Sequence, residues 1–325
     1  MKPKMFVATR QGLILAERRE NGWRADRHSL DEQPITSVAV SGDVILAGAR
    51  QGIYRSSDAG DTWQQITAGL TTPYVRWLAI HPDIPSLAFA GTEPAGIFVS
   101  QDSGETWRER PGVAALREKH DWFLPYSPGA GCVRGFAFHG KHVYAAVEVG
   151  GVLVSDDHGE TWQLAEGSSG DPGMHQDEPL VHPDVHSIVL HPGSTDLVFA
   201  PTGGGFYHSA DGGSNWKRIY PSCYCRAVWV DPGDPDHIVL APADSVDRNG
   251  RIEQSRDGGR SWRAASNGLE VPWRRHMVER FLQVGDELLA VLSNGELIVA
   301  PLESLQWERV SLGGKDVTAV AFTRG

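Results

Sequence analysis

An eight-residue pattern of the form S-x-D-x-G-x-T-W recurs along this 325-residue chain and limits its possible folds more than any other feature. Five copies are present, and they end at Trp63, Trp107, Trp162, Trp216 and Trp262. Degenerate copies in the same phase end at Trp23 and Trp307. Self-similarity at a spacing of 40 to 55 residues is typical of repeat architectures, so the chain is expected to contain seven similar units.

Each unit contains short apolar segments separated by turn residues. In the second unit these segments cover residues 35–40, 44–48 and 53–57, and a fourth contains Trp63. Four short strands per unit predict a blade of a β-propeller. The chain starts with a second-strand pattern at residues 5–9 and ends with a first-strand pattern at residues 317–322. We therefore predict an all-β fold: one seven-bladed propeller domain over residues 1–325, in which the C-terminal innermost strand joins the N-terminal strands and closes the ring.

Charge and composition exclude several classes of partner. The formal net charge is -11, from 41 acidic and 30 basic residues, which argues against a general nucleic-acid binder. No apolar run has the length of a signal peptide or of a membrane helix. The three cysteines, Cys132, Cys223 and Cys225, cannot form a disulfide framework. We therefore expect a cytoplasmic protein with neither nucleic acid nor membrane as a partner.

The aspartate of the repeated pattern is predicted to have a structural role. It can accept hydrogen bonds from the backbone of its turn, the following glycine can adopt a positive φ, and the tryptophan can pack between blades. The aspartates concerned are Asp58, Asp102, Asp157, Asp211 and Asp257. Catalytic or calcium-binding roles are the alternative, but a group present in most blades is better explained by folding.

These octads resemble the Asp-boxes, or BNR repeats, of sialidases, xyloglucan-degrading glycosidases, sortilin-type receptors and photosystem II assembly propellers. The resemblance covers essentially the whole chain and implies the propeller fold. In those families the Asp-box lies at the periphery, away from the ligand. Sialidases have six blades and an arginine triad, which Arg134, Arg226 and Arg280 resemble in residue type, with Tyr224 and Glu148 as conceivable partners. The xyloglucan-degrading enzymes cleave in a groove between two propellers, whereas this sequence encodes one.

Alignment of the innermost strands places basic residues at one structural position. This inner column contains Thr36, Arg76, Arg134, His186, Arg226, Arg280 and Thr318. The loops between second and third strands supply a mixed column of Arg10, Arg50, Glu93, Glu148, Gly203, Asp244 and Asn294. Arginine suits carboxylate and phosphate ligands through its planar fork of donors. Alternatively, these arginines pair with Glu93, Glu148, Asp244 and Glu279 and tie the blades together.

Two insertions, at about residues 108–131 and 166–184, enter innermost strands of adjacent blades and are expected to overhang one side of the channel. The first contains Trp122 and Phe123, which suit a sugar-like ligand or anchor the loop. A third segment, residues 273–276, approaches from another side.

We predict that the arginine-rich channel binds a small anionic or sugar-like molecule. The predicted ligand-binding residues are Arg76, Arg134, Arg226, Arg280, Arg50, Tyr224, Asp244 and Trp122. If the protein is an enzyme, we expect a hydrolase or lyase in which Glu148 or Glu93 is the general base and His186 or His276 moves protons. The alternative is a non-catalytic scaffold that binds a protein or peptide on the insertion-bearing face.

No cofactor is predicted, because the chain has no phosphate loop, dinucleotide fingerprint or diagnostic metal motif. A metal site remains an alternative. It would use histidines of the same face with Glu148 or Cys223, and the candidates are His175, His182, His186 and His276.

Overall fold

The computed structural model describes residues 3–20, 22–124, 131–173, 178–221, 223–313 and 316–323. Within these residues, seven four-stranded antiparallel sheets are arranged in a ring. The predicted all-β, seven-bladed propeller is therefore confirmed.

The strands follow one another from the channel outward in each blade. The first blade contains β1 (Lys4–Thr9), β2 (Gly12–Arg19) and β3 (Gly22–Ser29). The second contains β4 (Ile35–Ser41), β5 (Val44–Ala49), β6 (Gly52–Ser56) and β7 (Gln64–Ile66). The third contains β8 (Val75–Ile80), β9 (Ala88–Thr92), β10 (Ile97–Ser100) and β11 (Arg108–Glu109), and helix α1 (Pro111–Lys119) follows it.

The remaining blades repeat this order. The fourth contains β12 (Cys132–His139), β13 (His142–Glu148), β14 (Gly151–Ser155) and β15 (Gln163–Leu164), and the fifth β16 (Val189–Leu190), β17 (Val198–Thr202), β18 (Gly205–Ser209) and β19 (Lys217–Pro221). The sixth contains β20 (Tyr224–Asp231), β21 (Asp234–Ala243), β22 (Glu253–Ser255) and β23 (Arg263–Ala264). The seventh contains β24 (Val278–Val284), β25 (Glu287–Leu292), β26 (Leu297–Pro301) and β27 (Glu308–Val310).

The last strand, β28 (Val317–Phe322), closes the ring. It pairs antiparallel with β1, with Val7 opposite Val320, and becomes the innermost strand of the first blade. The closure predicted from the two chain ends is confirmed. It covers an inner edge that would otherwise present unpaired backbone groups.

The core lies between blades, and the repeated tryptophans fill it. Trp107 of the third blade packs with Leu46 and Ile53 of the second, and Trp162 of the fourth packs with Phe89 of the third. Burial of such large rings at each junction gives a favourable contact between consecutive blades. The sequence prediction that these rings separate neighbouring blades is confirmed at these junctions.

The aspartate of each complete octad is used within its own turn. Asp157 Oδ1 accepts hydrogen bonds from the Thr161 amide and the Ser155 hydroxyl, and Oδ2 accepts one from the Thr161 hydroxyl. Slight burial raises the pKa of Asp157, but these hydrogen bonds lower it by a larger amount, and the resulting pKa is about 2. Gly159 has a φ of +83°, and a Cβ there would lie 2.3 Å from Phe89 Cε1. The octad therefore supports the hairpin and its contact with the preceding blade.

The two insertions contact each other above the fourth blade. The indole Nε1 of Trp122 in the first donates a hydrogen bond to the Gly170 carbonyl of the second, at 2.7 Å. Trp122 is only 2% exposed and packs against the core between the third and fourth blades.

Among the described residues, no helix is long and apolar enough to cross a membrane.

Candidate functional site

An open cavity of about 820 Å³ lies at one end of the central channel. Residues from the innermost strands form its walls, and residues from the loops between second and third strands form its rim, including Arg10, Arg50 and Ser293. We call it the channel pocket. Among the described residues, one carboxylate, Glu279, and six arginines line it. The arginines are Arg10, Arg50, Arg76, Arg134, Arg226 and Arg280.

β-Bulges direct most of the inner column toward the axis. In the second, third and fourth blades, Thr36, Arg76 and Arg134 have no partner in the ladder, because their two neighbours pair with consecutive residues of the next strand. A bulge re-aims the side chain at the extra residue. Arg226 and Thr318 lie at comparable irregularities in the sixth and first blades.

The bulge corrects the predicted register in the seventh blade. There the unpaired residue is Glu279, and Arg280 pairs with Val291. Glu279 therefore belongs to the inner column, and Arg280 occupies the position equivalent to Trp77 of the third blade. Strand alternation alone missed this one-residue shift because a bulge resets the alternation. Arg280 nevertheless reaches the channel pocket from its shifted position.

Glu279 joins two arginines of different blades. Its carboxylate forms ion pairs with Arg226 and with Arg134, the latter at 3.3 Å between Oε2 and Nη2. Burial raises the pKa of Glu279, but Arg226 and Arg134 lower it more, so the pKa lies below its usual value. Glu279 is therefore ionised at neutral pH and neutralises part of the arginine cluster.

Two further carboxylates stand behind the arginines. Glu93 pairs with Arg76, and Glu148 Oε2 accepts a hydrogen bond from Arg134 Nη1 at 3.0 Å. Both carboxylates are buried and lie outside the set of residues that lines the channel pocket. The ion-pair alternative thus describes three of the arginines correctly. Arg76, Arg134 and Arg226 pair with Glu93, Glu148 and Glu279, whereas Asp244 pairs with Arg251.

Arg280 crosses the channel and binds backbone carbonyls. Its guanidinium donates to the carbonyl of Arg134 and, at 2.9 Å, to that of His186, and it lies 4.4 Å from the centre of the Trp77 ring. Burial and the nearby Arg134 lower the pKa of Arg280 to about 9, so it keeps its charge at neutral pH. Arg280 therefore forms a charged base to the channel pocket.

Arg10 and Arg50 differ from the deeper arginines. Among the described residues, neither has a carboxylate within salt-bridge distance. The Arg50 guanidinium carbon lies 4.8 Å from the centre of the Tyr74 ring, and that of Arg76 lies 5.2 Å from the same ring. The rim thus carries uncompensated positive charge next to an aromatic side chain.

Tyr224 lines the channel pocket in the sixth blade, as predicted. Its hydroxyl accepts a hydrogen bond from Arg226, and burial raises its pKa to about 12 despite the lowering effect of that arginine. Tyr224 is therefore a neutral phenol at physiological pH. It can present an aromatic face and a hydroxyl to a ligand.

Besides Glu93 and Glu148, four more predicted site residues lie outside the channel pocket. His276 stacks on Trp273, with ring centres 4.9 Å apart, and does not line the channel pocket. Asp244 is exposed at the surface, where it accepts hydrogen bonds from Asn249 and Arg251. Trp122 is an anchor of the insertions, because its ring is buried in the core. His186 is fully buried behind Tyr224, with ring centres 4.7 Å apart.

Sequence reasoning missed Tyr74 and Trp77 as pocket residues and gave Glu279 only a pairing role. One available signal was the spacing Tyr-x-Arg, which occurs at or just before the start of two inner strands, at Tyr74 with Arg76 and at Tyr224 with Arg226. Both tyrosines line the channel pocket together with their arginines. His182, a metal candidate on the second insertion, accepts a hydrogen bond at Nδ1 from the Asp184 amide, at 3.2 Å. His175, another candidate on that insertion, lies outside the described residues.

Comparison with known proteins agrees with this architecture. The family model for the BNR/Asp-box repeat matches residues 153–164. The oligoxyloglucan-reducing end-specific xyloglucanase of Emericella nidulans is 26% identical over 241 residues, which cover 60% of this chain and 27% of the enzyme. The xyloglucanase of Hypocrea jecorina is 23% identical over 190 residues, covering 54% of this chain and 21% of the enzyme. The chain therefore spans about a quarter of the length of these curated relatives.

Solved structures show the same fold. An ancestral GH74 enzyme superimposes with a TM-score of 0.63 at 18% identity, over 89% of this chain and 38% of that enzyme. A structure of YCF48 bound to D1 peptide superimposes with a TM-score of 0.60 at 16% identity, over 89% of this chain and 85% of that one. At these identities the likeness concerns the propeller architecture.

Proposed function

Taking the chain as a seven-bladed propeller built from Asp-box repeats, we propose that its channel pocket binds a small anionic ligand, such as an acidic sugar. The observation that carries this proposal is the charge at the rim. Arg10 and Arg50 line the channel pocket and, among the described residues, have no carboxylate partner. Arginine binds carboxylate, sulfate and phosphate groups through paired N–H donors, and a pocket partly shielded from water strengthens that attraction.

The deeper arginines favour the same ligand class. Arg76, Arg134 and Arg226 are oriented by Glu93, Glu148 and Glu279, so a ligand meets donors that are already positioned. In the described part of the chain, six arginines and one carboxylate line the channel pocket, so its local charge is opposite in sign to the net charge of the protein. An anion entering it would be attracted, whereas a cation would be repelled.

The similarity to xyloglucanases favours a sugar-like ligand within this class. Tyr74, Trp77 and Tyr224 give the channel pocket aromatic surfaces suited to sugar rings. Glycoside hydrolysis requires a carboxylate pair, one of them an acid with a raised pKa. Here Glu279, the carboxylate that lines the channel pocket, has a lowered pKa. These contacts support ligand binding more directly than they support hydrolysis.

The protein-scaffold alternative has less support from the surface. Among the described residues, the large hydrophobic side chains that are exposed are Phe123 and Val246. Phe123 belongs to the first insertion, whereas Val246 lines the channel pocket. Two such residues do not form the contiguous apolar patch typical of a protein-binding face.

Thermal unfolding with a panel of small molecules tests the proposal. Sulfate and glucuronate are expected to raise the melting temperature of the wild type, whereas uncharged glucose is not, because binding to the native state stabilises it. The double variant R10A/R50A is expected to bind these anions about 100-fold more weakly, from the loss of two charge-assisted contacts.

The matched control is R24A, which removes an arginine exposed on β3. It should respond to sulfate and glucuronate as the wild type does. Equal melting temperatures with and without either anion would contradict anion binding. Binding of a neutral xyloglucan oligosaccharide that is unaffected in R10A/R50A would favour the glycosidase function instead.

A further inference from the structure

Three potential metal ligands converge behind the wall of the channel pocket. They are Glu148, Asp184 and His186, and one ligand atom from each lies within 4.8 Å of the other two. His186 Nε2 is 3.3 Å from Asp184 Oδ2. None of the three belongs to the set of residues that lines the channel pocket.

His186 provides an independent indication of a ligand. Its side chain is fully buried, and in the described part of the chain neither ring nitrogen has a partner with hydrogen-bond geometry. Asp184 Oδ1 is likewise buried without a hydrogen-bond partner among these residues. Buried polar atoms are nearly always satisfied by protein, water or an ion. Two such groups side by side therefore form a polar site suited to a bound ion or water molecule.

The backbone positions these groups in neighbouring blades. Glu148 ends β13 of the fourth blade, while Asp184 and His186 flank Val185, which bridges to Thr202 at the end of β17 in the fifth. Gly203 leaves room for the Asp184 carboxylate, because a Cβ at that position would lie 2.2 Å from its Oδ2. A side chain in place of Gly203 would thus displace the carboxylate.

We propose that Glu148, Asp184 and His186 bind a divalent transition-metal ion, with zinc as the expected ion. Zinc bonds to imidazole nitrogen and carboxylate oxygen are about 2.0–2.2 Å long, so two ligand atoms 3.3 Å apart can share one ion. One imidazole and two carboxylates form a donor set suited to such ions. The ion would join the fourth blade to the fifth.

Neighbouring groups would orient the ligands. Arg134 Nη1 and Cys132 Sγ both donate to Glu148 Oε2, at 3.0 and 3.1 Å. Hydrogen bonds of this kind hold metal-binding carboxylates in place.

Metal content after equilibration with zinc or cobalt tests the proposal. The wild type is expected to retain about one zinc ion per chain after gel filtration, measured by mass spectrometry, and to give cobalt absorption bands in the visible region. D184N and E148Q keep the side-chain size but remove a carboxylate charge. Each is expected to bind the ion at least about tenfold more weakly.

The control D231N removes the carboxylate of a similar pair elsewhere, in which His237 Nδ1 lies 3.2 Å from Asp231 Oδ2. It should bind the ion like the wild type. Circular dichroism verifies that each variant folds. If D184N does not fold, the metal content of E148Q alone tests the proposal. A wild type that retains no zinc or cobalt, or folded D184N and E148Q that both bind like the wild type, would overturn the proposal. The sulfate and glucuronate measurements would be unaffected by that result.

Discussion

The variant E279Q is expected to lose about 3 kcal/mol of folding free energy, because removal of one partner from a buried ion pair leaves the other charge uncompensated. Glu279 faces both Arg134 and Arg226, and Arg280 follows it in the chain, so three guanidinium groups would remain with less neutralising charge. Denaturation by guanidinium chloride, monitored by tryptophan fluorescence, measures the effect.

The matched control for this substitution is E160Q. Glu160 pairs with Arg110 at the surface and is about half exposed, so its loss is expected to cost less than about 1 kcal/mol. If E279Q and E160Q have the same unfolding free energy, Glu279 does not hold the arginines together. A stable E279Q would also show that the channel tolerates the positive charge of its arginines without the ion pairs formed by Glu279.

Replacement of Trp122 by alanine is expected to destabilise the protein by about 3–5 kcal/mol, the usual cost of removing a large buried ring. The ring packs between the third and fourth blades, and its Nε1 holds the second insertion through Gly170. The unfolding free energies of W122A and of F123A provide the measurement. Phe123 is 50% exposed, so F123A is expected to change stability by no more than about 0.5 kcal/mol.

The sequence suggested that Trp122 contacts a ligand, and the same pair of variants tests that role. A W122A protein that is nearly as stable as F123A but no longer responds to glucuronate would restore the ligand-binding interpretation. A destabilised W122A with an unchanged glucuronate response would support the anchoring role.

The fold was predictable because each unit repeats its own local chemistry. The octad combines a hydrogen-bonded turn, a glycine that meets the preceding blade, and a tryptophan that fills the gap between blades, and these are short-range features visible in the sequence. The position of the ring closure followed from the strand patterns at the two ends. None of these inferences required the exact path of a loop.

The candidate site was predictable only in part. Arg76 and Arg134 were placed correctly because each follows a buried valine at or near the start of the inner strand, Val75 and Val133 respectively. In the seventh blade the same position is Glu279, but the apolar alternation of the strand placed its neighbour Arg280 in the inner column instead. The one-residue shift caused by the bulge concealed the role of Glu279 in joining the arginine cluster.

The side-chain directions in the two insertions were the other feature that the sequence did not predict. Their residues follow neither a strand nor a helix period over most of their length, so sequence alone does not determine which way a side chain points. Trp122 turned inward and Phe123 outward, although they are adjacent. The contact of His276 with Trp273 was not predictable for the same reason, because residues 273–276 also lack a repeating pattern.

Crystals of the wild type soaked in selenate, an analogue of sulfate, test the central claim most directly. Anomalous scattering locates the selenium atom without reference to the protein side chains. We expect a peak within the channel pocket, in contact with the Arg50 and Arg76 guanidinium groups beside Tyr74, and no such peak in R10A/R50A. A wild-type channel pocket without selenium, or an equal peak in the double variant, would contradict the account.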